Sequence, residues 1–192
     1  MATWRRLTLP AGSPPLPAGL SACTQAGTWS SGQFGGLLFR YLKRNFLSFI
    51  AGMAAVAQGS AFITADLDLC YSRKKENLEK LAEALAPFHP LLRGAPPDLP
   101  FCLDVNALRS GLNFTLTTDL GDLDILGEVT GLGGYSEALP FSEELEIFGL
   151  RCRVLTLEGL IKNKRAVGRA KDLRLLPELE ALLEIRKSQK KG

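Results

Sequence analysis

The sequence predicts an α/β (α+β) domain, a mixed β-sheet flanked by helices, on three observations. Helical spacing and strand alternation follow one another from about residue 35 to the C-terminus. Apolar residues make up 46% and charged residues 22% of the chain, the balance of an ordinary globular protein. Its 192 residues are enough to bury a core without disulfide or metal staples. A collagen, a wholly disordered chain and a disulfide-rich miniprotein are thereby excluded.

Residues 1–34 stand apart. Pro10, Pro14, Pro15 and Pro17 alternate there with Gly12, Gly19, Gly27 and Gly32, and no apolar period emerges. A flexible N-terminal segment is expected, with the domain spanning 35–192. Leu37, Leu38, Tyr41 and Leu42 have helical spacing that should stop near Asn45. A short buried strand is expected at 46–50, then a short helix at 53–58 closed by Gly59, then a strand at 63–71. Leu78, Leu81, Ala82 and Leu85 give 76–86 one apolar helical face. Pro87, Pro90, Pro96, Pro97 and Pro100 mark a long loop, followed by an expected strand at 101–105. Residues 113–118 and 122–129 read as a hairpin turned by Asp119-Leu120-Gly121. Gly131, Gly133 and Gly134 read as plain loop, and 144–154 as further strand. A helix over 157–167 should end at Gly168. In a last helix, Pro177 suits the first turn, so the regular part is expected from about Leu176 to Lys187.

Charge and cysteine usage narrow the function classes. Lys and Arg number 23 against 20 Asp and Glu, a net +3, and Arg186, Lys187, Lys190 and Lys191 exceed that whole excess. The body is therefore not broadly basic, which argues against a DNA-coating protein. Cys23, Cys70, Cys102 and Cys152 have no zinc-type spacing and read as reduced thiols of a cytoplasmic protein. The single histidine, His89, reads as a loop residue; it rules out multi-histidine zinc chemistry and argues against a Ser-His-Asp triad. Arg5 and Arg6 precede no apolar stretch of signal-peptide type. The run 45–65 is uncharged and of membrane-span length, but it carries Asn45, Ser48, Gly52, Gln58, Gly59, Ser60 and Thr64. It reads as strand, helix and loop within the domain, with no membrane role.

The chemistry centres on Asp66-Leu67-Asp68-Leu69. In a strand, Asp66 and Asp68 share a face, with Cα atoms roughly 6.5–7 Å apart, and the leucines point the other way. Two carboxylates on one face repel and resist desolvation, and a divalent cation between them offsets both penalties. Hard oxygen ligands of this kind suit Mg2+, which completes its shell with water and phosphate oxygens. Upstream, Gly52 falls between an expected strand and helix, where free backbone N–H groups can meet an anion. Ser60 could add a hydroxyl donor, while Gly59 reads first as a helix cap. Asp124, within Leu123-Asp124-Ile125-Leu126, is the choice for a third carboxylate of a two-metal site. Asp122 shares its face but lies nearer the turn, and is the second choice.

At this point the sequence resembles a family. Ile50-Ala51-Gly52-Met53-Ala54 followed by Thr64-Ala65-Asp66-Leu67-Asp68-Leu69 is similar to the signature of the DNA polymerase beta-like nucleotidyltransferases. Gly121-Asp122-Leu123-Asp124-Ile125-Leu126-Gly127 and the block from Leu160 to Asp172 narrow the resemblance to the minimal AbiEii/AbiGii toxin-like branch. It covers about residues 46–185. The resemblance implies a nucleotidyltransferase-type sheet, Mg2+, and transfer of a nucleoside monophosphate from an NTP to a hydroxyl acceptor. In toxin members the acceptor can be a tRNA end, and an antitoxin protein is the implied partner. Asp66 and Asp68 match the paired metal ligands, Asp124 the third acid, and Gly52 the second residue of the glycine loop. Lys164 matches a helix lysine that meets phosphate, and Lys171 with Asp172 matches a Lys-Asp pair near the last helix. The sequence departs from the pattern at Ala51, where a first Gly is frequent, and at Phe62, where a basic residue is frequent.

The basic block has its own reading. Lys162, Lys164, Arg165, Arg169 and Lys171 fall within ten residues, with Lys162 and Arg165 on one helix face and Lys164 on another. A face aimed at the carboxylates would neutralise triphosphate charge, so Lys164, Arg169 and Lys171 are candidate nucleotide-binding residues. Asp172 reads equally as a salt bridge or cap and as a catalytic group. The alternative to a nucleotidyltransferase is a non-catalytic nucleotide- or partner-binding module of the same fold.

Overall fold

The computed structural model describes residues 47–61, 67–96, 99–147 and 150–189. The expectations for residues 1–46, the first half of the expected strand at 63–71, and Asp66 itself lie outside the described residues. The chain builds a seven-stranded mixed sheet of order β3-β4-β5-β2-β1-β9-β8. Its centre is β1 (Leu47–Ile50) antiparallel to β2 (Leu67–Tyr71), with β5 (Gly121–Leu126) parallel to β2 and β9 (Leu150–Leu155) parallel to β1. β3 (Leu91–Leu92) and β4 (Asn113–Thr118) form one side, and β8 (Ser142–Ile147) closes the other. The mixed sheet flanked by helices is the architecture the sequence predicts.

Helix α1 (Ala51–Ala57) follows β1 at once, two residues earlier than expected, and packs on β1, β2, β9 and a later helix. Ala54 and Ala55 are fully buried, since only small side chains allow so close an approach. Gly59, at φ +100°, turns the chain out of the helix, and the Ser60 N–H reaches back to the Ala55 carbonyl at 3.0 Å. Helix α2 (Lys75–Leu85) buries Leu78, Leu81 and Leu85 of the predicted face together with Asn77 and Ala84, while Ala82 is half-buried. These leucines join Leu67, Leu69, Leu116, Leu123 and Ile125 in one buried cluster.

Several local expectations are corrected, among them the strand expected over 122–129, which ends at Leu126. Residues 101–104 form no strand; they lead into helix α3 (Val105–Ser110), because the Asp104 side chain accepts the Ala107 N–H at 2.7 Å as an N-cap. The proline-rich loop contains a 3-10 turn (Ala86–Phe88) and strand β3. The expected strand over 144–154 is two strands, β8 and β9, paired antiparallel; alternation of Glu and Arg with apolar residues runs through both and hides the boundary between them. The glycine loop forms a two-stranded ribbon, β6 (Glu128–Val129) with β7 (Gly133–Gly134), leading into α4 (Tyr135–Ala138). A Cβ at Gly131 would meet the Ala166 Cβ at 2.5 Å, so the ribbon's turn lies flush on the next helix.

That helix, α5 (Leu157–Val167), matches the prediction: Thr156 caps its start through Gly159 N–H, and Gly168 at φ +69° ends it. The last helix, α6, begins at Ala170 rather than near Leu176 and runs to Gln189 with Pro177 inside it. Pro177 deprives only the Leu173 carbonyl of a donor, and Leu173 is exposed enough for water to serve it.

Candidate active site

Topology brings two of the predicted carboxylates side by side. In the parallel pair β2–β5, Asp68 and Asp124 are direct register partners. Lateral partners share a face and lie about 4.8 Å apart. Leu67, Leu69, Leu123 and Ile125 point to the opposite face and are buried, which fixes the register, since a slip by one residue would bury the acids. Ile50, at the end of β1, is the register partner of Asp68 on its other side. Gly52 therefore lies in the first turn of α1, two residues beyond a residue that flanks Asp68.

Asp122 lies on the same face of β5, one pleat away. It accepts a hydrogen bond from the Thr117 hydroxyl at 3.0 Å and lies 3.3 Å from Nε of Arg93. The same guanidinium donates from Nη2 to Asp124 Oδ1 at 2.7 Å and to the Leu116 carbonyl at 3.1 Å. Arg93 was missed by the sequence reading. It follows two leucines in a proline-rich stretch with no periodicity, and only tertiary structure carries it to β5. A cleft of about 230 Å³ opens beside it, lined by Leu91, Leu92, Pro96, Leu99, Phe101 and Thr117.

The basic block approaches from the junction of α5 and α6. Lys164 is buried, and its Nζ donates to Asp172 Oδ1 at 2.7 Å. Arg169 donates from Nε to the other carboxylate oxygen of Asp172 at 2.6 Å. Burial pushes the Asp172 carboxyl up, but the hydrogen bonds from Arg169 and Lys164 and their charges outweigh it and hold the group below its ordinary value. The Asp172 bond raises the Arg169 guanidinium above its usual range, and the charges of Asp172, Asp68 and Asp124 add to the shift. Lys162 and Arg165 are exposed, with Lys162 4.4 Å from the centroid of the Phe141 ring and Arg165 paired with Glu180 at 2.6 Å. Lys171 is exposed on the first turn of α6. Ser60 is buried, and its hydroxyl donates to Glu178 at 2.8 Å, tying the turn after α1 to α6.

Two adjacent carboxylates with no nitrogen or sulfur donor are a hard donor set that fits Mg2+. Among the described residues no group of three or more His, Cys, Asp or Glu could hold a metal. The predicted trio includes Asp66, which lies outside them. The described cysteines, Cys70, Cys102 and Cys152, are free thiols, and burial with the nearby Glu137 charge pushes Cys70 up to about 12. No helix among the described residues is long and apolar enough to cross a membrane.

No family model matches the sequence, and no curated protein matches it. The chain is similar to the crystal structure of a protein from Thermotoga maritima described as a "putative nucleotidyltransferase". The two share 16% identity at a TM-score of 0.45, over 81% of this chain and 89% of that one.

Proposed function

We propose that the chain is a Mg2+-dependent nucleotidyltransferase that moves a nucleoside monophosphate from an NTP to a hydroxyl acceptor. The observation that supports this reading is the register pairing of Asp68 with Asp124. Asp68 and Asp124, together with Asp66, would hold the cations. When bound, Mg2+ would neutralise triphosphate charge and make the acceptor hydroxyl a better nucleophile. Arg169 would meet phosphate charge, and Lys164 acts through Asp172 to hold it. In the reaction the acceptor oxygen bonds to the α-phosphorus, the bond to pyrophosphate breaks, and a site carboxylate takes the hydroxyl proton. The motif resemblance to AbiEii/AbiGii-type toxins favours a tRNA or other RNA as acceptor and an antitoxin protein as partner.

A second reading, a non-catalytic nucleotide-binding module, is favoured by one observation: the Arg93 guanidinium is already on Asp124. Incubation with each α-labelled NTP, Mg2+ and total tRNA separates the two. Label transfer is expected, falling about 100-fold or more in Asp68→Asn and Asp124→Asn variants that keep the wild-type circular dichroism. Nucleotide binding without turnover would select the second reading. Transfer at the wild-type rate in a folded Asp68→Asn protein would discard the first.

A further inference from the structure

We propose that Arg93 is an internal competitor for the divalent cation at the Asp68–Asp124 pair and thereby sets the cation affinity of the protein. The inference rests on reading this pair as a cation-holding centre. The Arg93 N–H donates to the Thr115 carbonyl at 2.9 Å, which extends the β3–β4 pairing one residue past Leu92. From that anchor the side chain crosses β4 to reach β5. There it donates to Asp124 and the Leu116 carbonyl and lies beside Asp122. The Arg93 side chain is 27% exposed and that of Asp124 22%. The pair is therefore shielded from water and couples more strongly than a surface ion pair.

The charges explain why such a contact forms. Asp68, Asp122 and Asp124 place three carboxylates on one sheet face, and their repulsion is offset by whatever cation is at hand. Without a divalent ion, Arg93 supplies that charge from within the fold. An ion arriving at Asp124 must share the carboxylate with the guanidinium or displace it, and meets its positive charge within a few ångströms. The sign of that effect is fixed: it lowers the affinity for the ion alone. The negative charge of a triphosphate offsets it, so the ion is held best together with nucleotide.

The test is calorimetric titration of Mn2+, with no nucleotide, into the wild-type protein and its Arg93→Met and Arg93→Lys variants. Arg93→Met removes the charge and keeps the bulk; it is expected to bind Mn2+ at least about tenfold more tightly than wild type. Arg93→Lys keeps the charge and is expected to stay within about threefold of wild type. A role for Arg93 confined to orienting Asp124 would weaken binding in both variants, and that result overturns the proposal. Wild-type protein that binds Mn2+ while Arg93→Met binds it no better also overturns the proposal, and leaves the cation site standing. Absence of binding in all three proteins overturns the proposal and the cation site together. If Arg93→Met does not fold, Asp122→Asn/Arg93→Met is compared with Asp122→Asn, where the repulsion is smaller, with the same tenfold expectation.

Discussion

Asp172 keeps its charge at 2% exposure because two cations hold it, Lys164 on one oxygen and Arg169 on the other. Its lowered pKa means that this stabilisation is present above the carboxylate's unfolded pKa and is lost as pH falls through the lower folded one. Lys164→Met breaks the buried half of the arrangement and leaves the carboxylate with one largely exposed partner. The expected cost at pH 7 is about 3 kcal/mol by urea denaturation, shrinking as pH falls below about 4. Equal stability of variant and wild type at pH 7 would contradict this account. Both readings of Asp172 were open in the sequence, and the structure supplies the salt bridge. Arg93 was not legible at all. An isolated arginine between leucine and glycine has no pattern, and its value comes from a strand pairing that places it over β4.

At the scale of elements, legibility followed local chemistry. The α2 leucines, the β4–β5 hairpin and α5 with its Gly168 stop were written in short-range pattern, although Gly121 already belongs to β5 and the strand expected over 122–129 ends at Leu126. Helix α3 was missed because its signal is a single capping aspartate, Asp104, before only six helical residues. The boundary between β8 and β9 was missed because the same alternation continues on both sides of it. Pro177 was placed in a first turn because proline favours that position, yet α6 has seven residues before it and absorbs the lost hydrogen bond on its exposed side. Gly168 joins element to site: its left-handed φ carries the chain from α5 to α6 so that Arg169 and Asp172 meet Lys164. Gly168→Ala is expected to lose about 1 kcal/mol in chemical denaturation, since a Cβ strains that backbone region, although it would meet only the Arg165 carbonyl oxygen at an ordinary 3.7 Å. A variant as stable as wild type would show that this turn carries no such strain.

The site as a whole belongs to topology. Asp68 and Asp124 are far apart in sequence, and their pairing exists because β5 inserts beside β2 in parallel, with buried leucines setting the register. Sequence pattern could nominate each aspartate on its own strand, but not the adjacency of the strands. The same topology brings the edge strand β3, and with it Arg93, within reach of β5. The central claim is that these carboxylates together hold a divalent cation against a nucleotide. Its most direct test is a crystal structure grown with Mn2+ and a non-hydrolysable NTP analogue, read by anomalous scattering. The account predicts manganese density between the carboxylates of Asp68 and Asp124, with triphosphate oxygens completing its shell and Arg169 on the phosphates. Manganese and nucleotide ordered elsewhere, with Asp68 and Asp124 unengaged, would contradict it.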